Sequence, residues 1–163
     1  MTSDTLAVIG AGSWGTALAM LTARTSSTVF LWSHNPDHIR LIKQESCNTQ
    51  YLPGFTLSKN IIPTTDLPSL LTQSRKFVIA VPSRAFRSTL CTLRACLHVE
   101  PDKSWQFCWG TKGMEAKTGK LLDKVFQEIM GESAVRAALS GPSFSREVAA
   151  QLPTALTIAT DNV

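Results

Sequence analysis

The stretch AVIGAGSWGTALAMLTA, residues 7–23, decides how this chain is read: an apolar run, three glycines within six residues, then apolar residues again at helical spacing. A short apolar run closed by glycine reads as a buried strand. Trp14, Ala17, Leu18 and Leu21 share one face of a helix expected from about Trp14 to Arg24. Between the two, Gly10-Ala11-Gly12-Ser13-Trp14-Gly15 fits the pattern G-x-G-x-x-G. Its place after a strand and before a helix makes this weak pattern a dinucleotide-binding fingerprint, and all six residues are expected at the cofactor. The first glycine makes the turn, the second lets backbone approach a pyrophosphate, and the third lets the helix pack closely on the strand. The helix N-terminus presents amide groups to the negative charge.

Working outward, TVFLW (28–32), KFVIAV (76–81), WQFCW (105–109), VRAAL (135–139) and TALTIA (154–159) read as further strands. Helical patterns lie between them. Asn35 is expected to cap one that starts at Pro36 and turns Ile39 and Ile42 inward. Asp66 is expected to cap a short helix through residues 67–74, and Ser83 a longer one carrying Phe86, Leu90, Leu93 and Leu97. Residues 119–130 and 144–150 give two more. The turn-rich segment 48–65 is expected to cross the surface. Six strands with helical crossovers specify an α/β fold, a doubly wound parallel sheet of Rossmann type, forming one dinucleotide-binding domain over residues 1–163. Ligands of such sheets bind at the carboxyl ends of the strands, where Gly10, Ser33, Pro82, Gly110 and Gly141 stand.

Composition narrows the chemistry. With 163 residues, 44% hydrophobic and 17% charged, the chain suits a single globular core. The net charge of +4 is scattered, which argues against a nucleic-acid partner and suits a small anionic ligand. Four cysteines make no C-x-x-C pair and three histidines make no cluster with them, so no metal is expected and the thiols are read as reduced and mostly buried. Asp4 without Lys or Arg, and glycines within the first apolar run, argue against a secretory signal; no run reaches a membrane-spanning length. A cytoplasmic protein without membrane partners is the expectation.

Three segments at the strand ends carry the remaining candidates. The second strand ends in Ser33-His34-Asn35 without the acid that NAD sites usually place on the ribose, while His34 and Arg40 suit a 2′-phosphate. NADP, and NADPH in particular, is therefore expected to be accepted as well as NAD. In WGTKGME (109–115) the glycines around Lys112 allow a close approach to a ligand phosphate or carboxylate. In SGPSFSREVA (140–149), Ser143 reads equally as the cap of the next helix or as a ligand contact.

Taken together, VIGAGSWGTALA, YLPG, VPS, WGTKGME and SGPSFSREVA resemble, in order and over nearly the whole chain, the N-terminal half of bacterial NAD(P)-dependent glycerol-3-phosphate dehydrogenase. The resemblance implies an oxidoreductase that interconverts dihydroxyacetone phosphate and sn-glycerol 3-phosphate and feeds phospholipid synthesis. It places Ser13, Trp14, His34 and Lys112 at the cofactor, with Ser145 where relatives commonly have Ala and Phe86 toward the nicotinamide. Lys112, Gly141 and Ser143 match substrate-contacting positions, many relatives having Thr for the serine. The family adds a helical second domain that carries a catalytic lysine and is not part of these 163 residues, so no catalytic residue is assigned here and little turnover is expected of the chain alone. A homodimer is the assembly expected of the full-length protein. A nucleotide-sensing module and a hydroxy-acid dehydrogenase are the alternatives; TKG and GPSF argue against the latter.

Overall fold

A computed structural model of the chain describes residues 4–160. It contains β1 (Thr5–Ile9), α1 (Ser13–Thr22), β2 (Thr28–Trp32), α2 (Pro36–Glu45), β3 (Ile61–Thr64), α3 (Leu67–Gln73) and β4 (Lys76–Ile79). Then follow α4 (Ser83–Cys96), β5 (Gln106–Trp109), α5 (Leu122–Met130), β6 (Val135–Ser140), α6 (Ser145–Ala149) and β7 (Thr157–Thr160). The strands form one sheet in the order β3-β2-β1-β4-β5-β6-β7. All neighbours are parallel except β6 and β7, which pair antiparallel.

Each central strand is buried on both faces, as helical crossovers on both sides require. Val8, Val29, Leu31 and Val78 pack toward α1 and α2 with Leu18, Ile39 and Ile42. Ala7, Ile9, Phe77 and Ile79 point the other way and join Phe86, Leu90 and Phe126 of α4 and α5. That second layer is aromatic: Phe77 stacks on Phe107 with ring centroids 5.0 Å apart, and Phe86 meets Trp109 edge-on at 5.8 Å. Among the described residues no helix is long and apolar enough to cross a membrane.

The structure corrects several local expectations. β3 lies in the segment read as turns: Pro63 hides it, and an edge strand tolerates a proline that a central one would not. The segment also does more than cross the surface, since Asn48 and Leu52 are completely buried. Asn35 and Asp66 cap their helices as expected, accepting from the His38 and Ser69 amides at 3.2 and 3.0 Å. Ser83 does not cap α4; Pro82 holds that position in an extended conformation. Nor does Ser143 cap α6, where Phe144 takes the position and its amide donates to the Glu147 carboxylate at 3.4 Å. None of the four free cysteines is fully buried, and Cys91 is exposed, because it lies on the outer face of α4.

Two close approaches fix the loop between β1 and α1. Gly10 has φ +114°, and a Cβ there would lie 2.7 Å from the Ala80 carbonyl oxygen. A Cβ on Gly15 would lie only 1.8 Å from the Gly10 carbonyl oxygen. Gly12 differs, since a Cβ there would meet nothing within 4 Å.

A second fixture holds the loop that follows β5. Arg87 of α4 donates to both carboxylate oxygens of Glu115, at 2.6 and 2.9 Å, and to Glu128 of α5 at 2.8 Å. Thr118 donates to the same Glu115 carboxylate, and Met114 bridges to Leu121, so residues 114–121 form a closed loop. Hydrogen bonds from Arg87 and Thr118 hold the nearly buried Glu115 carboxyl down at about 2.

Two outcomes follow from these fixtures. Gly15→Ala is expected to lose about 3 kcal/mol or more, a fall in melting temperature of roughly 10 °C, whereas Gly12→Ala should stay within about 0.5 kcal/mol of wild type. Because the Glu115 carboxyl titrates lower in the folded than in the unfolded chain, its stabilisation is present above about pH 4.5 and is lost as pH falls toward 2. The melting-temperature gap between wild type and Glu115→Gln is expected to close over that interval.

Candidate functional site

Strand order reverses between β1 and β4, so the loops after these strands diverge and leave a crevice at their carboxyl ends. Two cavities, of about 690 and 390 Å³, occupy it. Both are lined by Gly12 and by Ala80, Val81 and Pro82, so they are lobes of one crevice that meet at the glycine loop. The larger runs past Ser33, His34 and Asn35 at the end of β2 and along α4. The smaller runs past Ser13 and Trp14, then Thr111 and Lys112, to Ser143 and Ser145.

At the junction, Gly12 is the N-cap of α1 and offers no side-chain acceptor to its first turn. The leading amides of a helix have no partner within it, so they face the crevice with the positive end of the helix dipole behind them. The open space over Gly12 admits a group that a side chain would displace. This cradle fits a pyrophosphate, and the two lobes suit the two ends of a dinucleotide.

The smaller lobe holds two buried polar atoms without a hydrogen-bond partner among the described residues, Trp14 Nε1 and Ser143 Oγ. A buried polar group left unpaired costs about 1–3 kcal/mol, so each points to a ligand atom that would pair with it. A Cβ on Gly110 would lie only 2.4 Å from Trp14 Nε1, which explains the glycine at the end of β5. Lys112 Nζ donates to the Gly141 carbonyl at 3.4 Å and brings the two loops together. Lys112, Gly141, Ser143 and Ser145, distant in sequence, thus gather beside the glycine loop, although Gly141 contributes through its backbone and does not line the cavity.

The larger lobe separates the remaining candidates. Ala11 and His34 line it, while Arg40 is turned away, paired with Asp37 at 2.9 Å beside a neighbouring cleft. Phe86 is fully buried in the aromatic layer and lines neither lobe, so its side chain supports the site from behind.

Sequence reasoning missed the polar knot beneath the loop. The buried Asn48 amide donates to the Ala11 carbonyl at 2.8 Å and to Thr16 Oγ1 at 2.7 Å. The Ala11 carbonyl can only accept, so the amide orientation is fixed, and Asn48 Oδ1 receives the proton of His38 Nε2 at 3.0 Å. Asn48 lies 37 residues from Ala11, and no local pattern announces such a contact. His38 is thereby an anchor of the loop, while His34, four residues earlier, is exposed to the cavity.

Known proteins resemble this chain in sequence and fold. Residues 5–163 match the family described as NAD-dependent glycerol-3-phosphate dehydrogenase N-terminus. The chain is 43% identical over 153 residues to a glycerol-3-phosphate dehydrogenase [NAD(P)+] of Photorhabdus laumondii, covering 94% of this chain and 44% of that protein. It is 42% identical over 158 residues to the enzyme of the same name from Shewanella sediminis, covering 97% and 46%. A crystal structure of glycerol-3-phosphate dehydrogenase from Coxiella burnetii superposes with a TM-score of 0.90 at 36% identity, over 99% of this chain and 48% of that one. The chain spans about half the length of these relatives. By the match along its length and the shared fold, the chain belongs to the NAD-dependent glycerol-3-phosphate dehydrogenase N-terminus family.

Proposed function

We propose that this chain is the NAD(P)-binding portion of a dehydrogenase that interconverts dihydroxyacetone phosphate and sn-glycerol 3-phosphate, a supply of glycerol phosphate for phospholipid synthesis. The observation that carries the reading is the two-lobed crevice with its junction at Gly12, one lobe ending at Lys112 and the unpartnered Ser143 hydroxyl. The pyrophosphate would lie over Gly12 on the first amides of α1, with adenosine in the larger lobe and nicotinamide in the smaller. When bound, the cofactor supplies the hydride exchanged with the substrate's central carbon.

The chain's own residues bind and orient. Lys112 presents an ammonium group at the mouth of the smaller lobe, held in place by the Arg87–Glu115 grip, and suits an anionic substrate drawn toward the nicotinamide end. Ser143 Oγ offers a hydrogen bond to the substrate or to the carboxamide of the cofactor. The proton that the carbonyl oxygen gains on reduction is assigned to the portion of the relatives beyond the matched half, with the rest of the substrate site. A positioned acid of that kind contributes about 10²–10⁴ in rate, so residues 1–163 by themselves are expected to bind cofactor and turn over little.

Calorimetric titration with NADH and NADPH tests the reading: saturable one-to-one binding is expected, and no heat with either nucleotide would refute it. Gly12→Val, whose Cβ would meet nothing within 4 Å in the free chain, is expected to weaken binding roughly tenfold or more by displacing the pyrophosphate from the helix amides. Unchanged affinity would remove the glycine loop from the site.

A further inference from the structure

Apart from Arg24 and Arg84, every arginine within the described residues has a partner. Arg40 pairs with Asp37, Arg87 with Glu115 and Glu128, Arg94 with Glu100, and Arg136 with Asp123. Arg75 and Arg146 lie over the rings of Trp105 and Phe55. Arg24 follows α1 at the surface. Arg84 stands instead in the first turn of α4 and lines the larger lobe, with no carboxylate within ion-pairing distance among the described residues.

The surroundings of Arg84 indicate what it faces. Along α4 the lobe is bounded by Ser88 and Thr92, one and two turns on. Their hydroxyls donate to the Ala85 and Ser88 carbonyls at 3.0 and 2.9 Å, so their protons are engaged within the helix. Ser33 and His34, at the end of β2, also line the lobe, and among the described residues no Asp or Glu lines any part of it. A site that takes an unphosphorylated ribose generally offers a carboxylate to the two hydroxyls, and a carboxylate would repel a phosphate there. This lobe has a free guanidinium and no acid. Arg40, the cation that the sequence points to, pairs with Asp37 at the exposed surface and lies outside the lobe.

We infer that Arg84, on α4, is the residue that recognises the 2′-phosphate of NADP(H) and sets the chain's preference for the phosphorylated cofactor. This rests on the proposed binding of adenosine in the larger lobe. The guanidinium fork suits a phosphate, and His34, lining the same lobe, provides a second donor. The preference is thus set from α4, and the β2–α2 turn contributes chiefly by lacking an acid.

The test is calorimetric titration of wild type, Arg84→Gln, Arg84→Lys and Arg40→Gln with NADPH and with NADH, folding of each being checked by circular dichroism. Wild type is expected to bind NADPH more tightly. Arg84→Gln should weaken NADPH about tenfold or more while NADH stays within about twofold, the loss expected for one charge-assisted contact. Arg84→Lys should retain part of the preference, and Arg40→Gln should alter neither affinity. Equal losses for both nucleotides in Arg84→Gln would overturn the inference by assigning the arginine to adenine or to folding, and an unchanged NADPH affinity would also overturn it. A wild type that binds both nucleotides equally removes this inference and leaves the proposed function intact; one that binds neither removes both.

Discussion

The structure depends first on how closely α1 approaches the end of β1. The 1.8 Å between the Gly10 carbonyl oxygen and the place of a Cβ on Gly15 leaves no room for any side chain, so the helix starts directly at the strand's carboxyl end. That closeness aims the first amides of α1 into the crevice between β1 and β4, where sheet topology has already opened a gap. The Asn48 knot ties the same loop from below, holding Ala11 and Thr16 to a segment that belongs neither to β1 nor to α1. A ligand therefore meets a loop whose conformation is set before it arrives, which lowers the entropy lost on binding.

The smaller lobe shows the opposite arrangement, polarity left without partners. Trp14 Nε1 and Ser143 Oγ are buried and unpaired, which weakens the free chain and favours whichever ligand pairs with them. The loop carrying Lys112 is held firmly instead, through the charged grip of Arg87 on Glu115 and through Glu128, which also pairs with Lys120. Rigid supports and unsatisfied donors together describe a site prepared for a polar, anionic occupant.

The sequence was most legible where chemistry is local. The β1–α1 unit, the apolar runs of β2 and β4, and the Asn35 and Asp66 caps follow from patterns within ten residues, and the structure shows each of them. What escaped was set by distant contact. β3 is a strand because it pairs with β2 at the sheet edge, despite Pro63. β7 runs antiparallel because the short α6 returns the chain beside β6 rather than across the sheet. Ser143 read equally as a cap or a ligand contact; the register of α6 gives the cap position to Phe144 and leaves the buried Ser143 hydroxyl lining the same lobe as Lys112. The gathering of Lys112 with the Gly141–Ser145 segment was anticipated from strand order, while the surface pairing of Arg40 with Asp37, away from the lobe, required side-chain positions.

The central claim is that one dinucleotide lies across both lobes with its pyrophosphate at Gly12. Two-dimensional ¹H–¹⁵N correlation spectra of the labelled chain, recorded as NADPH is added, test it most directly. The account predicts that the Gly12, Ser13 and Gly15 amides and the Trp14 indole N–H shift together at one saturating ratio, joined by His34 in one lobe and Lys112 in the other. Shifts confined to one lobe, or a glycine loop and Trp14 indole that do not move, would contradict it.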